Sequence, residues 1–158
     1  FAVQIAKALG AEVTGVCSTR NVDTLRSMGA DYVIDYTKED FKKKKQQYDL
    51  ILAVNGHQRI SAYKRALRPG GTFVHVGGSG AQLTETMVRG PWISLTGNRK
   101  MSSLLQRQNQ SDLVFMKELI EADSVKPVID RSYTLSEVPE AFRYFAEGHA
   151  KGKVVITV

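Results

Sequence analysis

Four short clusters carry the residue types of a ligand site: Ser18-Thr19-Arg20, Asp35-Tyr36, Asn55-Gly56 and Gly77-Gly78-Ser79-Gly80. The hydroxyls and guanidinium of the first suit a phosphate monoester, which they would hold through charge-assisted hydrogen bonds. Glycines in the last two let backbone approach a ligand closely, and neighbouring polar side chains can satisfy its hydroxyls. Taken singly, each cluster is an ordinary turn. Taken together, each follows a run with strand character, and their shared position is the stronger signal.

Other chemistry is poorly supplied. His57, His75 and His149 lie far apart and lack metal-ligand spacing. His75 falls inside an apolar run, as a core or pocket-wall residue does, and Cys17 reads as a buried thiol. Gly78-Ser79-Gly80-Ala81-Gln82-Leu83 begins like a dinucleotide fingerprint but lacks its final glycine. Neither a G-x-S-x-G elbow nor an H-E-x-x-H pair is present. No catalytic residue and no metal ligand is therefore assigned.

The elements that must position the clusters alternate. An apolar stripe at Ala2, Ile5, Ala6 and Leu9 predicts a helix stopped by Gly10, with the stripe already running at Phe1. Strands are expected near 12–17, 31–34, 49–54, 72–76 and 92–96. Between them, Asn21 is placed to cap a helix carrying Leu25 and Met28, and Thr37 with Asp40 resembles a capping box. Ile60, Tyr63, Ala66 and Leu67 form the inward face of a third helix, closed by Pro69-Gly70-Gly71. The continuous run Leu50 to Val54 suits a strand buried on both faces. A helix follows from Ser111 to about Ala122, then an extended stretch from Lys126, a helix capped by Ser136, and a closing β-type run, Val154 to Val158. This alternation predicts an α/β fold with a doubly wound parallel sheet, which binds ligands at the carboxyl ends of its strands.

In such folds an acid commonly ends the second strand and accepts hydrogen bonds from the adenosine ribose of NAD. Here that position holds Ser18, Thr19 and Arg20, with no acid before Asp23. A carboxylate would repel a 2′-phosphate, whereas hydroxyls and a guanidinium attract one, so NADP is expected over NAD.

Composition narrows the class. The chain has 158 residues, 42% hydrophobic and 24% charged, enough for a real core. It has no apolar run near the roughly 18 residues of a membrane span and no basic leader, so neither membrane nor secretion is expected. One cysteine rules out an internal disulfide, and a cytoplasmic setting is expected. The net charge of +6 raises nucleic acid as a partner. Its densest source, Lys42 to Lys45, reads as the solvated end of a helix, and no nucleic-acid partner is expected.

Five segments in order, "FAVQIAKALGAEVTGVCSTRN", "LRSMGADYVIDYTKEDF", "YDLILAVNG", "ALRPGGTFVHVGG" and "AEGHAKGKVVITV", span essentially the whole chain. Together they resemble the medium-chain dehydrogenase/reductase superfamily, in its zinc-independent, quinone-oxidoreductase-like branch. The resemblance implies a Rossmann-like NAD(P)-binding domain over 1–125 and a segment, 126–158, returning to a GroES-like catalytic domain. It further implies a strand and glycine turn before Phe1, which in the order 3-2-1-4-5-6 would fill the sheet's centre.

Roles follow from the same resemblance. Ser18 and Arg20 match positions that recognise the 2′-phosphate, and Tyr36 one that flanks it. Asn55 and Gly56 match the segment beside the cofactor's central part; Gly77, Gly78 and Ser79 match the loop near the nicotinamide ribose. Gly152 and Lys153 match a signature concerned with packing. Two departures stand out, "AVNG" for a commoner "AVG" and an idiosyncratic 97–110. The implied activity is hydride transfer from NADPH to a small-molecule carbonyl compound such as a quinone or enone, in a homodimer. Alternatives are a zinc-dependent alcohol dehydrogenase of the same superfamily, an S-adenosylmethionine-dependent methyltransferase, and a non-catalytic cofactor-binding protein. The methyltransferase would need an acid at Ser18 and a closing antiparallel strand pair.

Overall fold

A computed structural model describes residues 1–39, 47–56, 58–77, 80–104, 108–148 and 150–158. They form two compact units, Phe1–Glu39 with Asn109–Val158, and Asp40–Gln108. Every strand pairing in both units is parallel. Parallel neighbours need a crossover, and helices supply it.

In the first unit, α1 (Ala2–Ala8) leads to β1 (Thr14–Cys17). A 3-10 turn (Thr19–Asn21) and α2 (Val22–Ser27) then cross to β2 (Tyr32–Asp35). β1 and β2 run in register from Thr14↔Tyr32 to Cys17↔Asp35. Gly15 makes the crossover tight, because a Cβ there would lie 2.9 Å from the Leu25 side chain. Asn21 stands at the N-cap of α2 as expected, yet its side chain accepts no capping hydrogen bond: its Oδ1 is buried without a partner among the described residues. α5 (Gln110–Glu121) is capped by the Asn109 side chain, which accepts from Ser111 N. β6 (Ile129–Thr134) and β7 (Lys153–Thr157) pair in parallel across α6 (Val138–Ala146). The cap at this helix entry is Thr134 with Glu137, a reciprocal capping box, rather than the expected Ser136.

The second unit has sheet order β3-β4-β5, from β3 (Tyr48–Val54), β4 (Leu67–Val76) and β5 (Lys100–Ser103). Its core gathers Ala53, Ile60, Tyr63, Leu67, Phe73 and Met101. The predicted inward face of α3 (Ile60–Ala66) is buried, and Tyr63 stacks on Phe73 at 4.8 Å between ring centroids. Leu67 is buried too, but as the first residue of β4. Pro69-Gly70-Gly71 therefore lies within that strand, beside the irregularity in register between Tyr48 and Leu50. β3 is an outer strand of this sheet, and Leu50, Leu52 and Val54 are exposed. The expected burial on both faces is not met in this unit.

The fifth strand is displaced. Residues 92–96, expected as a strand, end α4 (Gly80–Thr96), and the strand is β5, at 100–103. Small residues explain the helix. Thr86 is buried, a Cβ on Gly90 would lie 3.2 Å from Met101 O, and the Ser94 hydroxyl receives Met101 N–H. These three, four residues apart, lie on one side of the helix, while Val88, Trp92 and Leu95 are exposed. The expected Asp40 end of the capping box and the lysine cluster lie outside the described residues.

Candidate functional site

Seven of the nine predicted cofactor residues are described, and each sits at the carboxyl end of a parallel strand. Gly78 and Ser79 lie outside the described residues. The seven fall into two groups, one in each unit.

The first group caps β1 and β2. Ser18 follows β1 in extended conformation, and the 3-10 turn begins at Thr19, closed by Asn21 N–H to Ser18 O at 2.9 Å. Tyr36 is exposed, and its N–H reaches Cys17 O, so it stands beside Ser18 across the two strand ends. Arg20 is exposed. Among the described residues, neither its guanidinium nor the Ser18 hydroxyl is engaged, which leaves a hydroxyl and a guanidinium after β1 and an exposed aromatic ring after the adjoining β2.

Thr19 is used differently. Its hydroxyl donates to Asp35 Oδ2 at 2.5 Å and contacts the Thr37 hydroxyl at 2.9 Å. Thr37 satisfies the other carboxylate oxygen, Oδ1, with its N–H at 3.0 Å and its hydroxyl at 2.7 Å. Asp35 is only 8% exposed. The hydrogen bonds from Thr19, then Thr37, hold its carboxyl below the usual carboxylate range, and Lys38 Nζ at 3.8 Å acts in the same direction. The buried Cys17 thiol is pushed up by desolvation and by the Asp35 charge beside it. Sequence reasoning passed over Asp35 as an anchor, because it sought an acid immediately after β1. The signal was available: Asp35-Tyr36-Thr37 has the spacing of an Asx-turn, in which a carboxylate accepts the backbone N–H two residues on.

The second group caps β3 and β4. Asn55 N–H extends the ladder to Val76 O at 3.0 Å. Asn55 has φ of +51° and Gly77 of +65°, so both strand ends turn through the left-handed region. Asn tolerates that region better than most residues, and positions held there cluster at functional sites. A Cβ on Gly77 would lie 2.8 Å from Asn55 Oδ1, and one on Gly56 would run into the Tyr63 hydroxyl. Gly56 is favoured by close approach and Gly77 chiefly by its positive φ. His75, in the adjacent strand, is buried, in keeping with a core or wall position.

Parallel strands joined by helices, with small and polar residues at their carboxyl ends, define a Rossmann-like α/β nucleotide-binding fold. The sequence profile of zinc-binding dehydrogenases matches residues 28–156. A mitochondrial NAD(P)H oxidoreductase of Mus musculus is 33% identical over 100% of this chain and 44% of its own length. A chloroplastic quinone oxidoreductase of Triphysaria versicolor is 33% identical over 99% of this chain and 48% of its own. Among solved structures, the quinone oxidoreductase of Coxiella burnetii superposes with a TM-score of 0.78 at 27% identity, over 99% of this chain and 48% of that one. The chain belongs to the zinc-binding dehydrogenase family, within the medium-chain dehydrogenase/reductase superfamily of oxidoreductases. It spans about half the length of the curated relatives it matches.

The family's name implies zinc. Among the described residues no three His, Cys, Asp or Glu side chains gather as a metal site would need, so these residues do not fit the ion. The residue types at the strand ends suit a dinucleotide better: a hydroxyl and a guanidinium without partners among the described residues, and glycines closely approached by neighbouring side chains. The methyltransferase alternative fails on its own terms, because β6 and β7 are parallel. Among the described residues, no helix is long and apolar enough to cross a membrane.

Proposed function

We propose that the chain is the cofactor-binding part of an NADPH-dependent oxidoreductase acting on a quinone, enone or related carbonyl compound. The observation that carries this reading is that the Ser18 hydroxyl and the exposed Arg20 guanidinium, neither engaged among the described residues, belong to one turn at the end of β1. Two such donors suit the doubly charged oxygens of a 2′-phosphate. The carboxylate that could oppose it, Asp35, is buried and turned to Thr19 and Thr37. Tyr36 flanks the adenosine end with its exposed ring. Asn55, Gly56 and Gly77 lie along the central part and the nicotinamide ribose, with Gly78 and Ser79 continuing that loop.

When bound, the nicotinamide supplies the hydride; the protein's part is orientation and charge stabilisation. Residues that polarise the carbonyl belong to a GroES-like catalytic domain outside this chain, to which 126–158 returns from the nucleotide-binding domain of 1–125. A strand and glycine turn from outside the chain complete the pyrophosphate site, and the whole protein is a homodimer of the cytoplasm. The names of the relatives, an NAD(P)H oxidoreductase and a quinone oxidoreductase, support the reaction class.

The test is cofactor binding by the whole protein with and without Arg20→Ala. The change should weaken NADPH by about 1–3 kcal/mol, the scale of a hydrogen bond to a charged group, and spare NADH. Equal losses for both cofactors would show that Arg20 does not meet the phosphate.

A further inference from the structure

Asp35 is a buried acid that the proposed chemistry does not use, yet it makes the densest side-chain hydrogen-bond cluster among the described residues of β1 and β2. Three bonds reach it. Thr19 Oγ1 donates to Oδ2 at 2.5 Å, and Thr37 donates its N–H and hydroxyl to Oδ1 at 3.0 and 2.7 Å. Thr19 opens the 3-10 turn whose ends are Ser18 and Asn21, and Arg20 is its central residue. Two backbone bonds, Asn21 N–H to Ser18 O and Val22 N–H to Thr19 O, close that turn from within. The Asn21 side chain, which normally would brace such a turn, has its Oδ1 buried with no partner. Among the described residues, the side chain that ties this turn to the sheet is that of Thr19, and it bonds to Asp35.

We infer that Asp35 is a positioning residue for cofactor choice: through Thr19 it fixes the turn that presents Ser18 and Arg20 to a 2′-phosphate. The inference rests on the reading of Ser18 and Arg20 given above. A carboxylate would ordinarily exclude a phosphate from its neighbourhood. Here both its oxygens are occupied by donors, it is 8% exposed, and Lys38 Nζ lies 3.8 Å away. Its charge is spent on the turn. The same acid that would choose NAD if it were open selects for NADP by holding its competitors in place.

Two variants separate this role from others. Asp35→Asn keeps the shape and an acceptor for Thr37, but its amide nitrogen can only donate, so the charge-assisted bond from Thr19 gives way to a weaker neutral one in which the hydroxyl accepts. Thr19→Val removes only the hydroxyl and leaves Asp35 intact. Each should lower the ratio of NADPH to NADH affinity about tenfold, as loss of a hydrogen bond to a charged group would. The double variant should lose no more than the larger single, because both break one link. Amide exchange at Arg20 and Asn21 should quicken in both. Arg20→Ala measured alongside tells the two ideas apart. If it abolishes the preference while Asp35→Asn leaves the ratio unchanged, the phosphate reading stands and the positioning role falls. If Arg20→Ala leaves the preference intact, the phosphate reading itself falls, and exchange in the other two variants still decides whether Asp35 holds the turn. A rise in NADPH affinity in Asp35→Asn would overturn the inference outright, since Asp35 would then be acting as a repelling charge. So would a fall without faster exchange.

Discussion

Replacing Gly77 by Ala tests the geometry at the end of β4 most directly. Two costs are expected. The first is conformational: at φ of +65° an L-residue lies in the left-handed region, which costs roughly 1–2 kcal/mol. The loss of glycine's freedom in the unfolded chain returns about 0.4–1 kcal/mol of that. The second cost is steric, because the new methyl would lie 2.8 Å from Asn55 Oδ1. That oxygen ends a side chain, so it can swing aside, but the Asn55 backbone is itself held at φ of +51° and hydrogen-bonded to Val76 O. The carboxamide must therefore leave its present position, at a further cost of about 1 kcal/mol, the lower end for overpacking. The sum is about 1–3 kcal/mol. Urea unfolding of the whole protein, with Gly77→Ala made alone and on an Asn55→Gly background, separates the parts. With the side chain gone, only the conformational part should remain, so the substitution should cost about 1 kcal/mol less there. Equal costs on both backgrounds would refute the contact between Asn55 and the Gly77 position, and no cost on either would refute the conformational argument as well.

Other expectations are simpler. Phe73→Ala should cost about 3–5 kcal/mol by thermal unfolding, because Phe73 is 1% exposed and stacked on Tyr63 in the core of the second unit. Gly152→Ala should cost about 1–3 kcal/mol, since its Cβ would land on the Val128 carbonyl oxygen beside the β6–β7 pairing; an unchanged midpoint would show that the backbone there yields freely. Acid should weaken the first unit. Asp31, through Lys7 and Val13 N–H, and Asp35, through Thr19 and Thr37, are both held below the ordinary carboxylate range. Folding therefore favours their ionised forms, a contribution fully present above about pH 5 and lost as pH falls through and below about 4. Asp31→Asn should flatten that fall in a pH series of urea midpoints.

Much of the fold was legible because its signals were local. Strands near 14–17, 32–35 and 48–54 announce themselves by apolar runs ending in polar clusters, and Gly10, Gly29 and Gly148 adopt the positive φ of helix stops. Where the sequence misled, tertiary contact had overridden pattern. The Trp92-Ile93-Ser94-Leu95-Thr96 stretch has β-type composition, but Thr86, Gly90 and Ser94 line one side of α4 towards β5, and small or polar contact residues of this kind leave no hydrophobic trace of their own in the sequence. At the site, the clusters at strand ends were readable from their position after apolar runs. The link from Asp35 to Thr19 was not, because it crosses between strands sixteen residues apart in the chain. No pattern along one strand reports its neighbour.

β3 carries a consequence for how this polypeptide must be made and handled. Leu50, Leu52 and Val54 are 59%, 44% and 53% exposed on a strand with one hydrogen-bonded neighbour. From Leu50 to Val54 there is no charge, proline or glycine, and the first interruption upstream is Asp49, paired with Arg68 at 2.8 Å. Such a strand is a template for a copy of itself, and natural proteins usually blunt it with lysine, proline or a bulge. Here the irregularity in register lies at the start of the stretch, between Tyr48 and Leu50, and neither lysine nor proline interrupts Leu50 to Val54. Nascent or proteolysed chains should therefore clump through this strand first, and a lysine in place of Leu52 should keep isolated chains dispersed while hindering whatever normally lies against that edge.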